Sequence, residues 1–531
     1  MKISSISWCV GLALLGLGAC GKADHGASHA GGADSGIGGD SQATGGGGAG
    51  FGAAAARAGT GSSGRSQATG DNAGSSGWAG SSPESAGASP DTELQPCMPD
   101  QTTTISGTVF DPAGENPLYN VMVYVVAPST SLPDLDSVPV GCGCAQLLPA
   151  KMLSVRIATD EHGHFEMPCA PSGTVSLVIQ AGKWRRRYDG IQVIRNQPNL
   201  IPNLRLPANS SEGSLPNIAI STGGTDSFEC LPLRIGVSAS EYVAGSASGG
   251  HIHIYSGWNG ATPAQGAVES SKALWDTQGH LNEHDLIVLS CEGQETTGGE
   301  SSPHVDSTAQ QYLMNYANAG GRVLATHYHY AWFNTGPFAT GANNLAKWTV
   351  GSGVVDDSQA FPAEIDTTSS TGAAFPQGSA LAKWLGIVGA LTNNQLPVWF
   401  AHNNVKALIT PPSSEWIHLS ASTTLAPSAP QLFSADTPVG ASGSAVCGRV
   451  VYSALHVSGG PNTNAPGVPA DYPSVGGAAG AGGSPGFPGP VPVAKGGTVP
   501  SGCALHPLTP QEAALEFMFF NLSSCLVPIG E

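Results

Sequence analysis

The chain is poor in charge and in large side chains. Of 531 residues, 20 are Lys or Arg against 38 Asp or Glu, and aromatics make up 7%. Too few cations are present for a nucleic-acid binder, which needs clustered Lys and Arg to displace counterions, and the formal net charge is −18. The compact basic cluster "KWRRR", 183–187, reads as a solvated strand end. Beyond the first twenty residues no stretch approaches 18 consecutive apolar residues, the length a membrane-crossing helix needs. What abounds is Gly (73) and Pro (40), which assigns much of the chain to low-complexity segments. The length leaves room for two or three folded parts.

Lys2 followed by the 12-residue apolar run "WCVGLALLGLGA" reads as a secretion signal, 1–19. "LGAC", 17–20, resembles the lipobox of bacterial lipoproteins, and the resemblance implies Cys20 as the lipidated residue; the alternative is an ordinary cleaved signal with a chance Cys. No Asp follows Cys20, which in a host with two membranes implies sorting to the outer one. The expected location is therefore the cell envelope, with the membrane engaged through lipid. Residues 20–91 are Gly/Ser/Ala-rich and hold too few large apolar side chains to offset the entropy of ordering. They are expected to form a disordered tether with a reach of about 40–50 Å. Setting aside Cys9 and Cys20, nine of the 11 cysteines remain. An exported chain keeps disulfides, and an odd count leaves at least one thiol without an intrachain partner. "CGC", 142–144, lacks the second pair a zinc ribbon needs.

Residues 92–210 alternate strand and turn signals: "TTISGTVFD", "YNVMVYVVA", "HGHFEM", "GTVSLVIQAG". "SGTVFDPAGENPLYNVMVYV" with "TDEHGHFEM" resembles the carboxypeptidase regulatory-like (transthyretin-like, Cna-B-like) β-sandwich, interrupted by an insertion at 128–155. The resemblance implies a spacer, stabilising or binding module and supplies no active site. His162 and His164, with Asp160, fall in a Gly-centred turn where polar residues are expected without a metal.

Residues 211–229 read as a linker and 230–531 as an α/β domain. "HDLIVLSCEGQE" is a buried strand, "SSPHVDSTAQQYLMNYANAGG" a helix capped by Asp306 or Ser307, and "RVLATHYHY" the next strand. Strand, helix and strand joined by glycine turns predict a parallel, flavodoxin-like sheet. "SALAKWLGIVGAL", 379–391, is a further predicted helix. "DLIVLSCEG", "GGRVLATH" and "CGRVVYSALH", closed by "TPQEAALEFMFFNLSSC", resemble the class I glutamine-amidotransferase-like fold, in its trehalose-utilisation-like (ThuA-like) branch. Residues 459–502 read as a disordered insertion, and a disulfide between the flanking Cys447 and Cys503 is expected to staple its ends.

True amidotransferases carry a nucleophilic Cys at the turn after the strand; here "ATHYHYA" stands there, so glutamine hydrolysis by that mechanism is not expected. Cys291 sits beside Glu292, which would raise its pKa, and reads as a disulfide partner or a buried thiol. On a strand His327 and His329 would point to one side, at the carboxyl edge where open α/β sheets bind ligands. The fold resemblance brings His456 and Glu292 to the same edge. Three histidines and a carboxylate there suit a divalent metal or an acid–base pair; Trp332 and Phe333 suggest instead an aromatic-walled carbohydrate or peptide pocket. Hydrogen-bonded histidines in an inactive fold are the third reading. His251, His253, His280, His284 and His402 fall into no pattern. Two functions follow. The first, favoured, is a lipid-anchored envelope binding or scaffold protein without catalysis, its partner a cell-surface glycan or protein. The second is an envelope hydrolase acting on carbohydrate or peptide through His327, His329, His456 and Glu292.

Overall fold

A computed structural model describes residues 102–143, 145–154, 156–293, 306–356, 359–457, 491–492, 499–500 and 503–526. The signal, Cys20, the tether, Cys97, Cys144 and most of the 459–502 insertion lie outside the described residues. Among the described residues no helix is long and apolar enough to cross a membrane.

The N-terminal strands are β1 (Thr104–Phe110), β2 (Met122–Val126), β3 (Ile157–Ala158), β4 (His164–Met167), β5 (Gly173–Ala181), β6 (Trp184–Val193) and β7 (Pro198–Arg205). They form two sheets, ordered β4-β1-β7 and β3-β2-β5-β6, which is a β-sandwich. β1 alternates, turning Ile105 and Val109 inward, as a half-buried strand should. The two motif segments meet: Val109 N–H donates to the Gly163 carbonyl at 2.8 Å, and Leu118 N–H to the Val109 carbonyl at 2.9 Å. Gly163 has φ +67°, and a Cβ there would lie 2.5 Å from the Val109 carbonyl oxygen, so the turn requires glycine. Asp160 accepts the N–H groups of His162 and His164 at 2.9 Å each; both histidines are exposed, His162 in the turn and His164 at the start of β4.

"KWRRR" is not solvated as expected. Trp184 is buried, Lys183 pairs with Asp285 at 2.8 Å, and Arg186 with Glu212 at 2.8 Å. Arg185 donates to the Pro133 carbonyl, and Arg187 to those of Thr130 and Pro128. Lys183, Arg185 and Arg187 hold the 128–155 insertion against the sandwich by taking up its carbonyls, Lys183 that of Val138 at 2.6 Å.

The rest of the chain supplies strands β8 (Ile218–Thr222), β9 (Tyr242–Ala244), β10 (Ile252–Ser256), β11 (Leu286–Leu289), β12 (Arg322–Thr326), β13 (Ala346–Trp348), β14 (Phe361–Ile365), β15 (Leu396–Val398), β16 (Val405–Leu408), β17 (Ser413–Leu419), β18 (Pro430–Thr437) and β19 (Gly448–Ser453). Helices are α1 (Leu231–Arg234), α2 (Ser271–Trp275), α3 (Gln278–Asn282), α4 (Ser307–Asn318), α5 (Ala331–Asn334), α6 (Pro376–Ile387) and α7 (Pro510–Ser523). Ten strands form one sheet, β15-β14-β17-β18-β19-β12-β11-β8-β10-β9. β9 through β19 in that order pair in parallel, whereas β18, β17, β14 and β15 add on antiparallel. The sheet is therefore mixed, not the parallel sheet expected. Asp306 caps α4, its side chain accepting from Thr308 and Ala309 N–H.

Residues 211–229 are not a linker: they contain β8, a central strand buried on both faces. Its brief apolar run "IAIST" between Pro and Gly gave no period to distinguish it from a connection. The sandwich and the large sheet also share one apolar core. α7 lies between them and is buried all round except at Asn521 and Ser523, which explains its lack of a polar face. Phe517 stacks on Tyr119 (5.9 Å between ring centroids), Phe520 meets Trp184 (5.8 Å), and Phe519 meets Phe228 (6.5 Å). Thr509 and Glu512 close a capping box at its start, and Glu512 also pairs with Arg234 at 2.7 Å, both side chains fully buried.

The expected Cys447–Cys503 bond does not form. Cys142 pairs with Cys447, tying the 128–155 insertion to the start of β19, and Cys230 pairs with Cys503. The loop ends are thus stapled to distant segments rather than to each other.

Candidate functional site

The chain passes from β8 outward to β9 and β10 on one side and returns to β11 on the other. Such a reversal opens a crevice at the carboxyl ends of the strands. Four exits converge there: Thr225 and Asp226 after β8, Cys291 and Glu292 after β11, His327 and His329 after β12, and His456 and Val457 after β19.

Asp226 ties three of these exits. It accepts the Thr326 hydroxyl at 2.5 Å and the Val457 N–H at 2.9 Å. Thr326 Oγ1 in turn accepts the Cys291 N–H at 2.8 Å. Burial pushes the Asp226 carboxyl up to about 7, against the pull of these donors.

β12 stops at Thr326, and His327 opens a 3-10 turn, His327–Tyr330, with φ +34°. His327 and His329 are therefore not alternate residues of a strand and do not share a side. A non-glycine residue in the left-handed region is strained, and such residues cluster at functional sites. The sharp turn occupies the place where the resemblance would put a nucleophile, with His327 standing there instead.

His327 Nε2 lies 2.8 Å from the Ser352 carbonyl, which can only accept, so this nitrogen carries the proton and Nδ1 offers a lone pair. Cys291 Sγ lies 3.2 Å from that Nδ1 and receives the Thr225 hydroxyl at 2.9 Å. The thiol therefore donates to the imidazole, and the pair is neutral. Burial pushes the Cys291 thiol up to about 12 and holds His327 well below the usual histidine range. Cys291 is the free cysteine among the described residues, in line with the odd count.

His456 and His402 complete the cluster. Ring centroids of His327 and His456 are 5.4 Å apart, those of His327 and His402 3.6 Å, and those of His402 and His456 5.1 Å. Burial brings His456 down to about 4 and His402 well below its ordinary value. His402, between β15 and β16, escaped sequence reading because those strands are antiparallel additions outside the parallel pattern. The signal that pointed to it was the polar break in "LPVWFAHNN" after an apolar run. Gln431 holds it by accepting His402 N–H at 3.3 Å and donating to its carbonyl at 2.7 Å; Gln511 of α7 donates to the His456 carbonyl at 2.7 Å.

His329 and Glu292 turn elsewhere. His329 Nδ1 accepts the Trp332 indole N–H at 3.1 Å. Glu292 faces the loop after β10: a Cβ added to Gly257 would lie 2.6 Å from its Oε1. Its carboxyl is raised by burial to about 7. Trp332 and Phe333 are fully buried core residues, with Trp332 edge-on to Trp275 at 5.2 Å, so they wall no open pocket. Cys291, Glu292, His327, His329, His402 and His456 are all at most 4% exposed.

No family model matches the chain, and no curated protein does. Among solved structures, a chain of a type II cohesin–X-dockerin complex from Acetivibrio cellulolyticus is 14% identical, covering 28% of this chain and 88% of that one, with a TM-score of 0.15. The major pilin subunit BcpA of Bacillus cereus is 15% identical over 20% of this chain and 30% of its own, TM-score 0.13. A streptococcal ancillary pilin is 13% identical over 24% and 38%, TM-score 0.13. At these scores the likenesses carry neither fold nor function, and the sandwich rests on its strand pairing.

Proposed function

We propose that the chain is a lipid-anchored cell-envelope binding or scaffold protein, without catalysis, that holds a carboxypeptidase-regulatory-like sandwich and a ThuA-like α/β unit at the outer membrane. The lipobox-like "LGAC", the Gly/Ser/Ala-rich segment after it and the disulfide-bonded fold support the location. The observation that carries the reading is burial. Every candidate catalytic group at the carboxyl edge is at most 4% exposed, so no substrate atom reaches the thiol or an imidazole without the fold opening. The outer faces of both lobes then remain for a glycan or protein partner.

The second reading is an envelope hydrolase. It is favoured by the Cys291–His327 contact at 3.2 Å. Native protein and His327→Ala should be indistinguishable, at background, with ester, glycoside and peptide substrates. Turnover by the native protein that His327→Ala abolishes selects the hydrolase. Metabolic labelling with palmitate should mark the native chain and not Cys20→Ser; equal labelling of both rejects the anchor.

A further inference from the structure

We infer that Cys291, His327 and His456 form a buried zinc site. The inference goes beyond the binding or scaffold reading and does not rest on it.

One ligand atom from each of Cys291, His327 and His456 lies within 4.8 Å of the other two. The Cys291 Sγ to His327 Nδ1 distance of 3.2 Å is a few tenths of an ångström short of the roughly 3.5 Å that separates sulfur and nitrogen on one tetrahedral zinc, with bonds of about 2.3 and 2.0–2.1 Å. The Ser352 carbonyl on His327 Nε2 fixes the tautomer that presents Nδ1, the arrangement by which metal-binding histidines are held. His456 Nδ1 and His402 Nδ1 are buried and find no hydrogen-bond partner among the described residues. Buried ring nitrogens are normally paired, and a cation supplies the missing partner of His456. His402 packs its ring on that of His327, 3.6 Å between centroids, and walls the site without joining the three mutually close ligand atoms.

The chemistry of the set selects the ion. One sulfur with two imidazoles favours zinc over magnesium or calcium, which take oxygen. Three protein ligands leave one coordination position for a small fourth ligand, and their burial, at most 3% exposed each, keeps bulk solvent from it. Cysteine usage agrees: Cys142, Cys169, Cys230, Cys447, Cys503 and Cys525 are disulfide-bonded, whereas Cys291 keeps its thiol beside three histidines. Binding releases the Cys291 S–H proton to solvent, one proton per ion, since the histidines are already neutral.

The test uses the exported chain, stripped by a chelator and reloaded with cobalt(II) or zinc. One cobalt per chain, a thiolate-to-cobalt charge-transfer band and displacement of both by zinc are expected. Cys291→Ser should remove the band and weaken zinc binding at least about a hundredfold, and His456→Gln should weaken it about tenfold or more. If Cys291→Ser does not fold, the cobalt spectrum of the unaltered chain still decides. Failure of the unaltered chain to bind cobalt, cobalt bound without a thiolate band, or equal zinc affinity in Cys291→Ser overturns the inference.

Discussion

Replacing Thr326 by Val keeps the side-chain shape and removes one hydroxyl. That hydroxyl accepts the Cys291 N–H at 2.8 Å and donates to Asp226 at 2.5 Å, with Thr326, Asp226 and Cys291 all fully buried. The Val variant leaves two groups short of a partner, the Cys291 N–H and one Asp226 oxygen; the other oxygen keeps the Val457 N–H. At about 1–3 kcal/mol for each buried group left unpaired, the loss is about 2–6 kcal/mol. Thr326→Ser keeps the hydroxyl and gives up one methyl, about 0.5–1.5 kcal/mol. With an unfolding entropy of ~2.1 cal/mol/K per residue over about 400 folded residues, the Val variant should melt about 2–7 °C below the native protein. The Ser variant should melt within about 2 °C of it. Differential scanning calorimetry of the three proteins reads this directly. A Val variant as stable as the Ser variant would refute the role of this hydroxyl in tying the three strand exits together.

Glu512→Gln retains the capping group but removes the carboxylate charge paired with buried Arg234, and should cost about 3–5 kcal/mol in urea unfolding; a loss below about 1 kcal/mol would mean the pair contributes little. A non-reducing peptide map should yield Cys142–Cys447 and Cys230–Cys503, with no Cys447–Cys503 peptide, and removing the Cys230–Cys503 bond should cost about 3–5 kcal/mol. Burial, and then the neighbouring His253, hold His284 at about 3 in the fold against 6.5 when free. Between those values the unfolded chain binds a proton that the folded chain refuses. Stability therefore falls as pH drops from about 6.5 towards 3, by up to about 1.4 kcal/mol per unit. His284→Gln should lose less stability than the native protein between pH 7 and 4; equal losses would place the acid sensitivity elsewhere, His253 first.

Local signals were legible where chemistry is local. The Asp306 cap and the "DEHGHF" turn are written in adjacent residues, and the structure has both. β8 is not legible because its short run of three apolar residues, Ile218 to Ile220, followed by Ser and Thr, reads equally well as a linker, and only its partners β10 and β11 make it a strand. The Cys447–Cys503 pairing that the flanking positions suggest does not form, because folding brings Cys142 and Cys230 to these cysteines across separations of 305 and 273 residues. Of the candidate site, His327 and His456 meet, at 5.4 Å. His329 and Glu292 do not join because a 3-10 turn replaces strand alternation after Thr326 and because Glu292 faces β10. Cys291 was weighed against its acidic neighbour, but its contacts are Thr225 and His327. His402 comes from a segment with no periodic signal at all.

The central claim is that this edge of the sheet is closed and neutral. It is tested most directly by the alkylation rate of Cys291 in the folded, chelator-treated protein at pH 8, followed by mass spectrometry. A fully buried thiol must wait for opening, and a pKa moved from 9.0 to about 12 lowers the thiolate fraction about a thousandfold. The account predicts labelling at least a hundredfold slower than a free cysteine, rising to the free rate in denaturant. Labelling within tenfold of the free rate in the native state would contradict it, and would put an open, activated thiol beside His327.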